Sequence, residues 1–282
     1  MVWLTWRQHR VALLIGVLLL VFYAFILLGR NYDAFTFQFE VVMLLPLLVA
    51  VFVGAPLVAR ERAQRTHYVA WLQGTSRTRW LVIKLALVAA GVLVLATVLA
   101  FLEKALQDML MGYGPFYIWS RYLVTGPVVV GLMLFGLMLG VLVGSLTRRS
   151  ILAMALTFVL CTTCIIVFNN EYQYLVPPHV EYMEYHGNGY WGPQQGELVT
   201  YAGFADRQGQ ETGDIHGYCD WHDSASNGNI NKCIRDLNLQ WKTVYQPEEN
   251  YWPLQYAGGA LLLVFSLLFG ILAIIRVRTI RD

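Results

Sequence analysis

Six runs of this sequence are long and apolar enough to cross a lipid bilayer as helices: 11–29, 41–59, 81–102, 123–146, 151–168 and 253–275. Hydrocarbon offers no partner for backbone N–H and C=O groups, so a crossing segment must satisfy them internally, and a helix needs roughly 20 residues to do it. The expected class is therefore an all-α polytopic membrane protein with six transmembrane helices. Composition fits: only 13% of residues are charged, where a soluble domain averages about a quarter. Run 11–29 follows Arg7 and Arg10 as a signal peptide would. No small-residue cleavage site follows it and five further runs do, so it reads as an uncleaved first helix.

Six crossings put both termini on one side, and lysine and arginine concentrate in cytoplasmic loops. With the termini inside, 13 of the 20 basic residues lie inside, against Glu61 and Asp282 among the acids. The whole-chain net charge of +2 thus conceals two opposite sides. The expected location is the plasma membrane, with N and C termini cytoplasmic. Lys84, near one end of run 81–102, is expected to snorkel to the headgroups.

Between the runs, several features have local meaning. Trp3, Trp6, Arg7 and Arg10 share one helical stripe, which suits either an interfacial helix or an aromatic belt before the first span. Pro46 should kink the second span. After residue 102 the chain turns polar, and Ala105, Leu106, Met109 and Leu110 have the spacing of a surface helix. Only "TRRS" separates the fourth and fifth runs, which demands a tight helical hairpin. Gly136, Gly140 and Gly144 recur every fourth residue. That spacing lets helix backbones approach closely, either inside the bundle or across a dimer seam.

Residues 169–252, outside between spans five and six, are expected to form a small mixed domain with short strands; 253–282 then hold the sixth span and a cytoplasmic tail. Between Asn169 and Tyr251 lie nine tyrosines, three tryptophans, twelve acids and four bases, too aromatic for a disordered linker. Its aromatics read as the core of a small domain or as contacts for a cationic or amphipathic substrate. Cys219 and Cys233 sit there, and in an oxidising compartment they read as a disulfide. Cys161 and Cys164 lie inside span five and read as small packing residues. In "IHGYCDWHD", His216, Cys219, Asp220, His222 and Asp223 have metal-ligand chemistry, but surface histidines are the default and no metal site is assigned.

No chemistry of the chain's own is evident. A phosphate-cradling G-x-x-x-x-G-K-[ST], a G-x-G-x-x-G, an H-E-x-x-H and a G-x-S-x-G are all missing. No span carries a mid-membrane acid, base or histidine to couple an ion gradient. An ATPase or a self-powered carrier is disfavoured, and no nucleic-acid partner is expected.

Attention falls on "GAPLVARERAQRTHYVAWLQGTSRTRW", Gly54 to Trp80, cytoplasmic on this orientation. It has five arginines and one acid, Glu61. Topology alone explains the arginines. It does not explain Tyr68, Trp71 and Leu72, an apolar edge on a polar helix that must dock somewhere. Gly74 can end that helix and Thr75 or Ser76 can cap the next. "GAPLVARE" followed by "VAWLQGTSRTRWLVIKL", with an opening like "WLTWRQHR", resembles the permease subunits of ABC-2 type transporters, particularly actinobacterial and similar Gram-positive ones. Members often carry an acid and a Gly-Thr pair where this chain has Gln64 and Arg65-Thr66, leaving Glu61 as the acid.

The resemblance implies a transmembrane permease subunit of an ATP-binding cassette exporter. A second permease chain, expected as a homodimer, and separate ATPase subunits in two copies would complete it, with lipid around the bundle. ATP and Mg would be bound by the ATPase, and this chain would hold no cofactor. It further implies a coupling helix (60–80), with Glu61, Arg62, Arg65, His67, Tyr68 and Trp71 as ATPase-coupling contacts. A rival reading makes the chain a membrane receptor or sensor whose outer domain binds a peptide or envelope component. An intramembrane enzyme lacks any catalytic constellation.

Overall fold

A computed structural model describes residues 21–22, 25, 41–63, 77–110, 116, 119–147, 149–184, 197–212 and 227–279. Among them, five helices are long and apolar enough to cross a membrane: Val41–Arg60, Thr78–Ala105, Gly126–Leu146, Ser150–Tyr174 and Glu248–Arg278. They correspond to the second to sixth apolar runs. Run 11–29 and the Trp3–Arg10 stripe lie, but for residues 21, 22 and 25, outside the described residues. The chain is mostly helical and divides into two compact units. One comprises Met1–Gly112, Ser120–Tyr172 and Gln255–Asp282; the other comprises Tyr113–Trp119 and Gln173–Leu254.

In the helical unit, the Val41–Arg60 span winds as a π-helix over Val49–Gly54 and returns to α-helix as α1, Ala55–Ala63. The π segment begins three residues after Pro46, whereas the proline's missing N–H leaves the Val42 carbonyl on its other side without a ladder donor. The helix is regular α over 41–48, through Pro46 itself. Helix α2, Arg77–Leu110, runs for 34 residues without a break; the expected cap residues Thr75 and Ser76 lie outside the described residues. The surface helix expected after residue 102 is instead its continuation: Glu, Lys, Ala, Leu and Gln are strong helix formers, and nothing there stops the helix.

Helix α3, Gly126–Leu146, is the most deeply buried of the described spans. It opens on Gly126, whose φ of +57° favours glycine. Its start is held by buried Gln255: Oε1 accepts from the Val128 N–H at 3.2 Å, and Nε2 donates to the Tyr122 carbonyl at 3.0 Å. Tyr122 stacks on Tyr172 with ring centroids 3.9 Å apart. Helix α4, Ser150–Glu171, follows after the expected short turn and buries only a narrow stripe of Ala153, Thr157 and Cys161. Ile151, Phe158, Val159 and Val167 are exposed, as residues facing lipid would be.

The second unit holds three antiparallel strands in the order β1-β3-β2: β1 His179–Met183, β2 Leu198–Ala205 and β3 Gln240–Gln246. Helix α5, Asn227–Asp236, buries Ile234 against Phe204, Leu239 and Trp241. Its end is a Schellman turn, with Asn238 at φ +57° and the Leu239 N–H bonded to the Ile234 carbonyl at 3.0 Å. Helix α6, Tyr251–Arg278, then completes the spans.

Candidate functional site

The candidate site is the stretch between the first two described spans. Helix α1 runs past Arg60 through Glu61 and Arg62 to Ala63, and α2 resumes at Arg77. Two of the six coupling candidates, Glu61 and Arg62, thus stand on α1. Arg65, His67, Tyr68 and Trp71 fall within 64–76, outside the described residues.

What the structure does show is how both ends of the stretch are anchored. Leu57, Val58 and Ala59 are buried on one side, and Trp80, Leu81 and Leu85 on the other. Arg60 and Arg79 are exposed, as the residues flanking a span usually are. Lys84 does not snorkel. It is 6% exposed, its Nζ donates to the Leu57 carbonyl at 3.0 Å, and the ammonium lies 5.6 Å from the Trp80 ring centroid. The lysine turns inward, and the Leu57 carbonyl on the neighbouring helix is one of its partners there. At sequence level, a lysine four residues after a tryptophan in an apolar run was the only sign of this.

Directly behind the anchor lies a seam of glycines. A Cβ on Gly54 would come within 2.6 Å of the Leu137 carbonyl oxygen, and one on Gly136 within 2.6 Å of the Pro46 carbonyl oxygen. Cβ atoms on Gly140 and Gly144 would overlap the carbonyl oxygens of Ala50 and Ala55. The stripe on α3 therefore meets the Val41–Arg60 span of its own chain, along the π segment. Small residues at such a seam are what let two helix backbones approach this closely. Ala55, Ala59 and Ala153 extend the close packing to α4, with Met154 against them.

The remaining candidates divide by unit. Cys161 and Cys164 are free thiols on α4. Cys233 stands on α5, while Cys219 lies outside the described residues, as do His216, Asp220, His222 and Asp223. Among the described residues no group of three or more His, Cys, Asp and Glu side chains is placed to hold a metal. On the sheet, Lys242 reaches Glu211 at 3.0 Å and lies 5.6 Å from the Tyr201 ring centroid. The cation among these tyrosines is the chain's own. The hydrogen bond to Glu211 pushes the Lys242 pKa up. Burial, reinforced by Glu211, pushes the Tyr201 phenol up, and burial followed by Glu181 and Glu197 does the same at Tyr245.

A family model for "ABC-2 membrane transporter related" proteins matches residues 24–172, more than half of the 282-residue chain. The chain belongs to this family. This ABC-2 family member is accordingly a multi-pass membrane protein and the membrane component of a transporter, not its catalytic part. Permeases of this kind generally work with an ATPase partner. Neither the comparison with curated proteins nor that with solved structures returned a match. The matched region contains the candidate stretch, both its anchors and the glycine seam.

Proposed function

We propose that this chain is the permease subunit of an ATP-binding cassette exporter that works as a homodimer. Each copy docks one separate ATPase, which binds ATP and Mg, through the segment between the Val41–Arg60 and Thr78–Ala105 spans. The observation that carries the reading is the family match, because it runs through that segment and both helices leaving it. The arginines at 60, 62, 65, 77 and 79 put the segment in the cytoplasm under the positive-inside rule. Glu61, Arg62, Arg65, His67, Tyr68 and Trp71 are the docking contacts. ATP-driven closure of the ATPases would push this segment and reorient the spans. The sheet unit then lies outside, where an oxidising compartment would close Cys219 with Cys233; Cys233 is not among the free thiols.

The test is co-expression with an ATP-binding subunit encoded beside the chain, followed by purification through the permease. The ATPase should be retained by the unsubstituted chain and released by Glu61→Lys with Arg65→Glu. Retention by the doubly reversed chain overturns the docking assignment. Capture of a kinase in place of an ATPase favours the sensor reading.

A further inference from the structure

Lys84 is the feature that the reading above leaves unused. Removing an ammonium from water costs several kcal/mol even after relaxation, and an apolar side chain of similar volume would avoid that cost altogether. A cheaper course was open. The side chain sits within two turns of the exposed Arg79 and is long enough to reach headgroups from there. A methionine would fill the same space at no electrostatic cost. The inward ammonium therefore does something that packing alone would not require.

Its position indicates what. Leu57, which accepts the bond, lies three residues past the end of the π segment at Gly54 and four before Glu61. Lys84 lies seven residues into α2. The bond consequently ties together the two helices that enter and leave the docking segment, one turn from it on the first side and two on the other. Immediately beyond the tie, Gly54 meets Leu137 and Gly140 of α3. π segments differ from α-helix by a single inserted residue and are frequent at functional sites.

We propose that Lys84 is a positioning residue for energy coupling: by holding α2 to the Leu57 carbonyl, it makes both helices move as one body when the docking segment is pushed. Displacement then reaches the glycine seam with α3. Without the tie the helices part and the push is lost between them. The inference rests on the coupling reading above.

The test uses the full chain in complex with its ATP-binding subunit, with Cys161→Ala and Cys164→Ala as background. Spin labels go on Phe101→Cys and Val167→Cys, exposed positions toward the far ends of α2 and α4. The distance between them is measured with and without ATP and vanadate. In the unsubstituted complex trapping should shift it. Lys84→Met should retain the ATPase and its basal hydrolysis yet lose the shift, and Lys84→Arg should restore it. Lys84→Gln, neutral and close in size, serves as the second variant and should lose the shift likewise. A shift in Lys84→Met equal to the unsubstituted one overturns the proposal, as does no shift in the unsubstituted complex or loss in Lys84→Arg. Failure of both Met and Gln variants to accumulate makes Lys84 a folding residue and overturns it too. If no ATP-binding subunit is retained by the unsubstituted chain, the coupling reading falls and takes this inference with it.

Discussion

The family match ends at residue 172, and the main segment of the sheet unit begins at Gln173. The two sides of that boundary are built by opposite means. In the matched spans, close contact comes from leaving side chains out: Gly54, Gly136, Gly140 and Gly144 let backbones touch. In the sheet unit it comes from large side chains, such as Phe204 edge-on to Trp241 at 4.8 Å, with Ile234 against them. Lipid chains are as apolar as leucine, so helices in a bilayer gain from proximity more than from hydrophobic area. A small unit outside the spans must bury area instead, and aromatic residues supply most per position.

The comparison can be broken at its strongest point by adding one side chain. Gly140→Val places atoms inside the Ala50 carbonyl and the Gly54 backbone. The expected loss exceeds about 4 kcal/mol, the range of severe core disruption, and should abolish a monodisperse peak in detergent. Gly91→Val is the control, because nothing lies within 4 Å of a Cβ there, and it should purify normally. Equal behaviour of the two would refute the seam.

The next effect is the opposite operation in the other unit. Phe204→Ala should cost about 3–5 kcal/mol. The damage should stay within the sheet unit: limited proteolysis should cut between 173 and 254 while the spans remain protected. Simultaneous digestion of the spans would show that the units do not fold separately.

A smaller loss is expected from Gln255→Leu, which strips the Val128 N–H and the Tyr122 carbonyl of their partner. Leaving such groups buried and unpaired costs about 1–3 kcal/mol, read as a lower melting temperature in detergent. An unchanged value would mean the α3 start needs no polar partner.

The smallest effect is electrostatic and confined to the sheet. Lys242, Tyr201 and Tyr245 all have folded pKa values raised above their ordinary 10.5, 10.0 and 10.0. The folded state therefore keeps protons that the unfolded state has lost. The stability these groups contribute is complete below about pH 10 and declines as pH rises through the folded values. Tyrosinate absorbance should appear later in native than in urea-unfolded protein, and Lys242→Met should make the alkaline decline shallower. Coincident titrations would contradict the cluster.

The apolar runs were legible because hydropathy must be continuous across a bilayer: run 81–102 became the span Thr78–Ala105. Its continuation to Leu110 is hidden in the sequence because Glu103, Lys104 and Asp108 look like an exit from the membrane. Polarity reports where lipid stops, not where a helix does. Nothing in the sequence marks the π segment at Val49–Gly54, since Pro46 lies within regular α-helix before it. The glycine spacing was visible, whereas its partner was not, since packing within a chain and between chains demands the same small residues. The place of Lys84 is hidden for a similar reason: snorkelling and inward bonding share one sequence. Strands such as "HVEYM" and "QWKTVYQ" were foreseen only as a type, because alternation over so few residues is weak. At the candidate site, Glu61 and Arg62 are placed on α1, and their proposed companions lie outside the described residues.

The central claim is that an ATP-binding subunit docks on the segment following α1. A photoactivatable residue at Tyr68, with one at Trp252 for comparison, tests it in whole cells that co-express the neighbouring ATP-binding subunit. The account predicts a covalent adduct with that subunit from position 68 and none from 252. No adduct from 68, or an adduct from 252, would contradict it.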